Sequence, residues 1–354
     1  MARRIYARPG WGVLRQPDVD GEEGAYYLWS IDEVREAAGD LAERAVERFG
    51  LKPGEKTNLR VVKEGDLGEI RRRLLEARRR WRKPPRVDPT VYTGWSCAMA
   101  RAELEASRLA GVGNREHALA TLERVRREFW DGGGLVHGVR GGRRLESGVL
   151  EDYAYCILAA LEAQPHRPDM LDWAVALGEV MVGRFLDSGG FRDVERPDPL
   201  LARPHYPVTD TPNYSGNALA TMAAALLHYV TGVQKFREAA GAALRANMGK
   251  LARLGPAAAG LAIAVDIYLA EPPRTVVAGE APELLAAALS AYRPFHVVLY
   301  VKDSWRYPDN AAMLAQRHAA YVCAWGGCSM PIRDVETLRK VVTQFRREAY
   351  VLEA

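Results

Sequence analysis

Four segments rich in alanine, leucine and methionine on nearly every face recur along this chain, with charge-striped segments between them. The first is marked by Trp95-Ser96-Cys97-Ala98-Met99-Ala100-Arg101-Ala102 and ends near Gly111. The second is marked by Leu150-Glu151-Asp152-Tyr153-Ala154 and ends near Gln164-Pro165. The third starts at Ser215-Gly216-Asn217 and ends near Gly232, and the fourth covers about Ala257–Ala270. A helix that is apolar all round must be buried, whereas one with a single apolar stripe lies over something else. The intervening segments, about Arg115–Trp130, Pro168–Leu186 and Gln234–Leu254, are of the second kind. Inner and outer helices therefore alternate, at a period of about sixty residues. The expected fold is mainly α, an array of helical hairpins forming one domain over residues 1–354.

That period exceeds the period of ordinary helical solenoids because each link from an outer to an inner helix is long. The links share a signature. Gly133-Gly134-Leu135 and Gly189-Gly190-Phe191 follow the first two outer helices, and Gly10-Trp11-Gly12 has the same look. Each reads as a helix C-cap, a short extended stretch and a turn into the next inner helix. Long links emerging at one end of the array build a shared rim on which a site can form. Residues 274–301 break the pattern. Thr275–Ala278 is short and β-branched, Pro282–Ala291 is helical, and His296–Val301 is a second apolar strand. This reads as a βαβ insert. It lacks a Gly-x-Gly-x-x-Gly turn, which argues against nucleotide binding.

With 354 residues, 48% of them hydrophobic and 27% charged, the chain can bury a large core and is not of disordered composition. A net charge of +4 singles out no class of partner. Apolar runs such as Gly260–Ala270 are shorter than a membrane span, and the basic N-terminus has no apolar stretch behind it. A cytoplasmic protein with no membrane partner is expected. The basic run Arg71–Arg86, interrupted by Glu76 and ending near Pro84-Pro85, reads as a solvated helix face plus a linker. No nucleic-acid partner is expected from it. The seven histidines show no metal spacing, so neither metal nor cofactor is expected.

Five motifs resemble, in order and separation, those of the spermatogenesis-associated, thioredoxin-domain-containing protein family. They are Asp20-Gly21-Glu22-Glu23-Gly24-Ala25-Tyr26-Tyr27-Leu28-Trp29; Asp88 through Trp95 with Met99; Leu150-Glu151-Asp152-Tyr153-Ala154; Asp210 with Ser215-Gly216-Asn217; and Tyr321-Val322-Cys323 with Cys328, Pro331 and Asp334. The resemblance runs from about Asp18 to Asp334. It implies the family's six-hairpin, glycosidase-like (α/α) toroid, incomplete here, because the thioredoxin-like domain and the first hairpins have no counterpart. Three departures stand out. Ser96 replaces the family's Asn, Pro89-Thr90 follow Asp88 in place of its Lys, and Asn213-Tyr214 replace its usual approach to Ser215.

Inner-helix starts line the mouth of a toroid. Polar residues there include Glu22, Glu23, Asp88, Trp95, Glu151, Asp152, Tyr153, Asp210, Ser215 and Asn217. Sugar chemistry needs paired carboxylates between aromatic walls: one acid protonates a leaving oxygen, and a second activates water or stabilises positive charge. On that pattern Asp152, Asp88, Glu23 and Asp210 are the candidate catalytic residues. Trp95, Tyr153, Asn217 and His137, the last on a rim-facing link, are the candidate substrate-binding residues. Helix capping or core packing is the commoner reason for such residues, Asp152 and Ser215 above all. Cys97 and Cys156 lie in apolar helices and read as small core residues. Cys323 and Cys328, flanking Trp325-Gly326-Gly327, are either a redox-active pair or, more often in this spacing, a buried reduced pair or an adventitious close pair.

The function so implied is that of a glycosidase-like or epimerase-like protein, carbohydrate-active or carbohydrate-binding, with a carbohydrate ligand. Two alternatives stand beside it: a non-catalytic protein pairing with a separate thioredoxin-like chain, and a redox protein using Cys323 and Cys328. An open ring exposes the apolar flanks of its first and last helices. A second chain carrying the thioredoxin-like domain and the missing hairpins would cover them, as would a homodimer.

Overall fold

The computed structural model describes residues 14–15, 18–19, 21–196, 200, 203–302, 313, 316–324 and 327–344. They form two compact units, one within residues 12–89 and one from Thr90 onward.

The smaller unit contains strands β1 (Leu14–Arg15), β2 (Asp18–Val19) and β3 (Glu22–Glu23), helices α1 (Ile31–Ala38), α2 (Ala42–Phe49) and α3 (Gly68–Trp81), and strand β4 (Val87–Asp88). Strand β1 pairs antiparallel with β4, and β2 with β3. Helix α1 begins where it does because Ser30 and Glu33 form a capping box: each side chain accepts the other's backbone N–H. The core is Trp29 with Val34, Phe49, Ile70 and Leu74. The Arg82 guanidinium stacks 4.3 Å from the Trp29 ring centre and donates to the carbonyls of Tyr26 and Leu28. Arg72 pairs with Glu69 and Glu76, and Arg73 with Glu69 and Asp40. These arginines of the basic run are thus neutralised within their own unit, on a helix face.

The larger unit is helical where the sequence pattern places helices. Helices α4 (Thr93–Ala110), α6 (Leu150–Ala163), α8 (Gly216–Thr231) and α10 (Ala259–Ala270) pack side by side in chain order as an inner row. Helices α5 (Arg115–Glu128), α7 (Met170–Phe185) and α9 (Gln234–Leu254) each lie chiefly on the inner helix before them. Nearly every residue of α8 is buried, as its alanine-rich composition requires. Helix α10 packs on α8 and α9, yet leaves Ala259, Ala262 and Leu269 exposed. Among the described residues, Gln234–Ala270 is the one helical stretch whose length and composition would suit a membrane span. It is broken by a 3-10 turn at Gly255–Ala258, and its two halves pack on each other and on α8.

The layers meet closely. A Cβ at Gly178 of α7 would stand 2.5 Å from Leu227 and 2.9 Å from Phe236. Gly178→Ala is therefore expected to lower stability by about 1–3 kcal/mol through overpacking, read as a lower urea midpoint at unchanged slope. Cys97 and Cys156 join α4 to α6, fully buried with their sulfurs 2.6 Å apart. Burial pushes the Cys156 thiol well up, so it stays protonated and behaves as a core residue.

The links differ from the expected cap and extended tail, because each Gly-Gly pair closes a tight hairpin. Strand β5 (Val91–Tyr92) pairs with β6 (Gly138–Arg140), which pairs with β7 (Arg143–Arg144). Strands β8 (Leu186–Asp187) and β9 (Gly190–Phe191) pair directly, with Gly190 at φ +105°, a conformation few residues besides glycine adopt. Trp130 and Leu135 are bridged in the same manner, and Asp131 accepts the N–H groups of Gly133 and Gly134. Gly10-Trp11-Gly12 lies outside the described residues.

Strands β10 (Arg274–Ala278) and β11 (Val297–Val301) are parallel and joined by α11 (Pro282–Ser290), which is a βαβ unit. Two further strands, β12 (Ala319–Ala324) and β13 (Gly327–Cys328), extend it antiparallel in the order β11-β10-β12-β13. Helix α12 (Val335–Gln344) packs on α11 and β12.

Candidate functional site

The first N–H groups of a helix lack partners within it. In the larger unit, carboxylates placed between neighbouring inner helices supply them. Asp152, in the first turn of α6, accepts the Gly94 N–H of α4 at 2.8 Å and the Val149 N–H at 2.9 Å. Asp210 accepts the Ser215 N–H at 2.8 Å, just before α8, and the Gly260 N–H of α10 at 2.7 Å. Glycine is needed at both receiving positions. A Cβ on Gly94 would lie 2.8 Å from the Asp152 carboxylate, and one on Gly260 3.0 Å from that of Asp210. Both aspartates therefore act as capping bridges between inner helices.

Tyr153 and Asn217 do equivalent work on the link hairpins. The Tyr153 hydroxyl accepts the Leu135 N–H. The Asn217 amide accepts from the Phe191 N–H and donates to the Phe191 and Pro207 carbonyls. Both side chains are buried in the core, away from solvent. Glu23 and Asp88 belong to the smaller unit, where Glu23 is exposed on β3 and Asp88 half-buried on β4. Cys323 and Cys328 face each other across β12 and β13 and are disulfide-bonded. Trp325 and Gly326 lie outside the described residues.

His137 stands differently. Its Nδ1–H donates to Asp152 Oδ2 at 2.8 Å, its side chain is 40% exposed while that of Asp152 is 2% exposed, and Nε2 makes no hydrogen bond among the described residues. The ring is thus held in one orientation by a buried carboxylate, with its other nitrogen open. The hydrogen bond to Asp152 raises the pKa of His137, aided by the charges of Asp152, Glu146 and Glu151 and opposed by burial. An aromatic wall adjoins it: the Tyr92 ring centre lies 5.2 Å from that of His137 and 4.9 Å from that of Trp95, which is 46% exposed.

Beside this pair is Glu151, half-buried and without a hydrogen bond or ion pair among the described residues. Burial and the Asp152 charge raise its pKa, and His137 opposes them. Glu151 lines a cavity of about 300 Å³ with His205, Tyr206, Thr209, Tyr214 and Ser215. His205 is itself held by Asp193, Nδ1 to Oδ2 2.9 Å. A half-buried carboxyl that holds its proton more tightly than in water, next to an oriented imidazole and aromatic faces, is suited to donate a proton to a leaving oxygen. The sequence pattern counts Asp152, and not Glu151, among the candidate catalytic carboxylates, but helix phase turns Asp152 into the core and its neighbour Glu151 toward the cavity. No protein-family model matches this chain, and no curated protein matches it.

His137 also gives the rim a pH signature. Its folded pKa lies above its unfolded value, so its stabilisation is present below about pH 6.5 and is lost as pH rises through the folded pKa. Half-exposure screens the effect to below about 1 kcal/mol. The difference in urea midpoint between wild type and His137→Gln is expected to be largest near pH 5.5 and to shrink by pH 9.

Proposed function

We propose that this protein is a carbohydrate-directed (α/α) toroid protein of the kind its motifs resemble, its inner and outer helices forming an arc of the ring. Glu151 serves as the proton donor or acceptor, His137 oriented by Asp152 assists it, and Tyr92, Trp95 and Tyr214 offer ring faces to a sugar. The observation that carries this reading is Glu151: a carboxyl with a raised pKa and no partner among the described residues, opening into a cavity beside an oriented histidine. Structural carboxylates of the same rim, Asp152 and Asp210, are fully engaged. The test is a melting-temperature screen against neutral and acidic mono- and disaccharides, since a ligand of the native state raises the transition. At least one saccharide is expected to raise it dose-dependently. A flat response across the panel at tens of millimolar removes this reading.

A further inference from the structure

The Cys323–Cys328 disulfide lies at one edge of the four-stranded sheet, since β13 is its last strand. Its two halves differ in access: Cys323 is 2% exposed, whereas Cys328 is exposed. Strand register places a third residue in the same row. Arg274 of β10 stands opposite Cys323, and Cys323 opposite Cys328. Residues directly opposite on antiparallel strands share a face, with Cβ atoms about 4.5–5.5 Å apart. That face packs on the helical array, because Cys323, Tyr321 and Val276 belong to its core, while Val277 and Val322 pack with Leu338 of α12. Arg274 is 7% exposed and makes no ion pair among the described residues. Its Nη1 donates to the Tyr229 carbonyl of α8, and its guanidinium lies 4.8 Å from the Tyr229 ring centre. Its buried Nε has no hydrogen-bond partner among the described residues. Glu271, the carboxylate nearest to it in the chain, is engaged by Arg237 at 3.3 Å. The Tyr229 hydroxyl in turn donates to the Cys323 carbonyl at 2.8 Å, so guanidinium, ring and cysteine form one packed group.

A guanidinium cannot shed its proton, and a buried cation without a counter-charge is costly. Reduction of the disulfide supplies the missing anion as a Cys323 thiolate. Independently of the carbohydrate reading, we infer that Cys323–Cys328 is an exchanging disulfide, reduced by a dithiol, in which Arg274 receives the leaving Cys323 thiolate. One thiolate of the incoming dithiol bonds to the accessible Cys328 sulfur. The Cys323–Cys328 bond breaks, and its electron pair stays on Cys323 beside Arg274. The second sulfur of the dithiol then bonds to the first, and the electron pair of the mixed disulfide returns to Cys328. Of the two protons the dithiol loses, one goes to Cys328 and one to water. The dithiol is oxidised to its own disulfide, and the cysteine pair is reduced. A thiolate stabilised by a neighbouring cation is the better leaving group.

The test equilibrates the folded full-length chain with dithiothreitol redox buffers and reads the cysteine pair by alkylation and mass spectrometry. Wild type should be reduced reversibly with its circular dichroism unchanged. Arg274→Gln should shift the equilibrium toward the disulfide by about tenfold or more, and Arg274→Lys by less. Glutathione, trapped by acid during reduction, should be found on Cys328. A readout that needs no Arg274 variant is the ultraviolet absorbance of thiolate at pH 7, which should be present in Cys328→Ser and absent in Cys323→Ser. Reduction that occurs only when the chain is unfolded by urea overturns the inference and leaves a structural disulfide. Equal thiolate absorbance in the two serine variants, glutathione trapped on Cys323, or an unchanged equilibrium in a folded Arg274→Gln overturns it as well.

Discussion

Asp152→Ala is expected to lower stability by about 3–5 kcal/mol, the largest loss from any single rim substitution. The carboxylate serves two helix N-termini and the His137 ring at once. Its removal leaves the Gly94 and Val149 N–H groups without partners in a site too buried for water to replace them, and each such group costs about 1–3 kcal/mol. Asp152→Asn keeps one acceptor oxygen but turns an NH₂ group toward one of the donors, so a loss of about 1–3 kcal/mol is expected. Urea denaturation at pH 7 measures both. In the alanine variant the pKa of His137, read by NMR, should also fall, because its largest raising influence is gone. Unchanged stability would mean that Asp152 does not bridge α4 to α6.

Glu151→Gln is expected to do the opposite to stability and, under the proposed function, to slow turnover. The folded state holds the Glu151 proton more tightly than the unfolded chain does. Its carboxyl therefore costs stability as pH rises above the unfolded pKa, and the cost is complete above the folded one. A neutral glutamine removes that cost, so the variant should match or exceed wild-type stability at pH 7 and show a flatter stability profile between about pH 4 and 7. On a turned-over saccharide, loss of the proton donor should reduce kcat by about 10²–10⁴-fold. The two outcomes together separate a working acid from a structural carboxylate: Asp152 variants lose stability, whereas Glu151→Gln keeps it and loses turnover.

The helical array was legible because its sequence is consistent at several levels. Alanine-rich segments such as Ala218–Leu227 leave no polar face, Ser215 caps the helix they form, and glycines such as Gly111 and Gly232 end helices in the left-handed conformation. Strand β12 was not legible: Ala319-Ala320-Tyr321-Val322-Cys323-Ala324 is a short apolar run that periodicity cannot assign to helix or strand, and its pairing with β10 is a long-range event. The rim was legible as a region but not residue by residue. Glu151, Asp152 and Tyr153 are adjacent in sequence, yet one faces a cavity, one bridges helix ends and one holds a hairpin. Only the phase of α6 separates them, and a phase error of one residue moves a side chain by about 100°. The glycines held a usable signal, since Gly94 and Gly260 are where aspartates approach the backbone and so mark Asp152 and Asp210 as structural.

Trp95 offers the most direct measurement. It is the exposed indole of the aromatic wall beside His137, whereas Trp29 and Trp173 are buried elsewhere. Indole N–H resonances of the protein, with that of Trp95 assigned through Trp95→Phe, can be followed while saccharide is added. A ligand seated between Glu151 and the wall should move the Trp95 indole resonance in a saturable way and leave those of Trp29 and Trp173 in place. A saccharide that binds while the Trp95 resonance stays fixed would contradict the placement of the site at this rim.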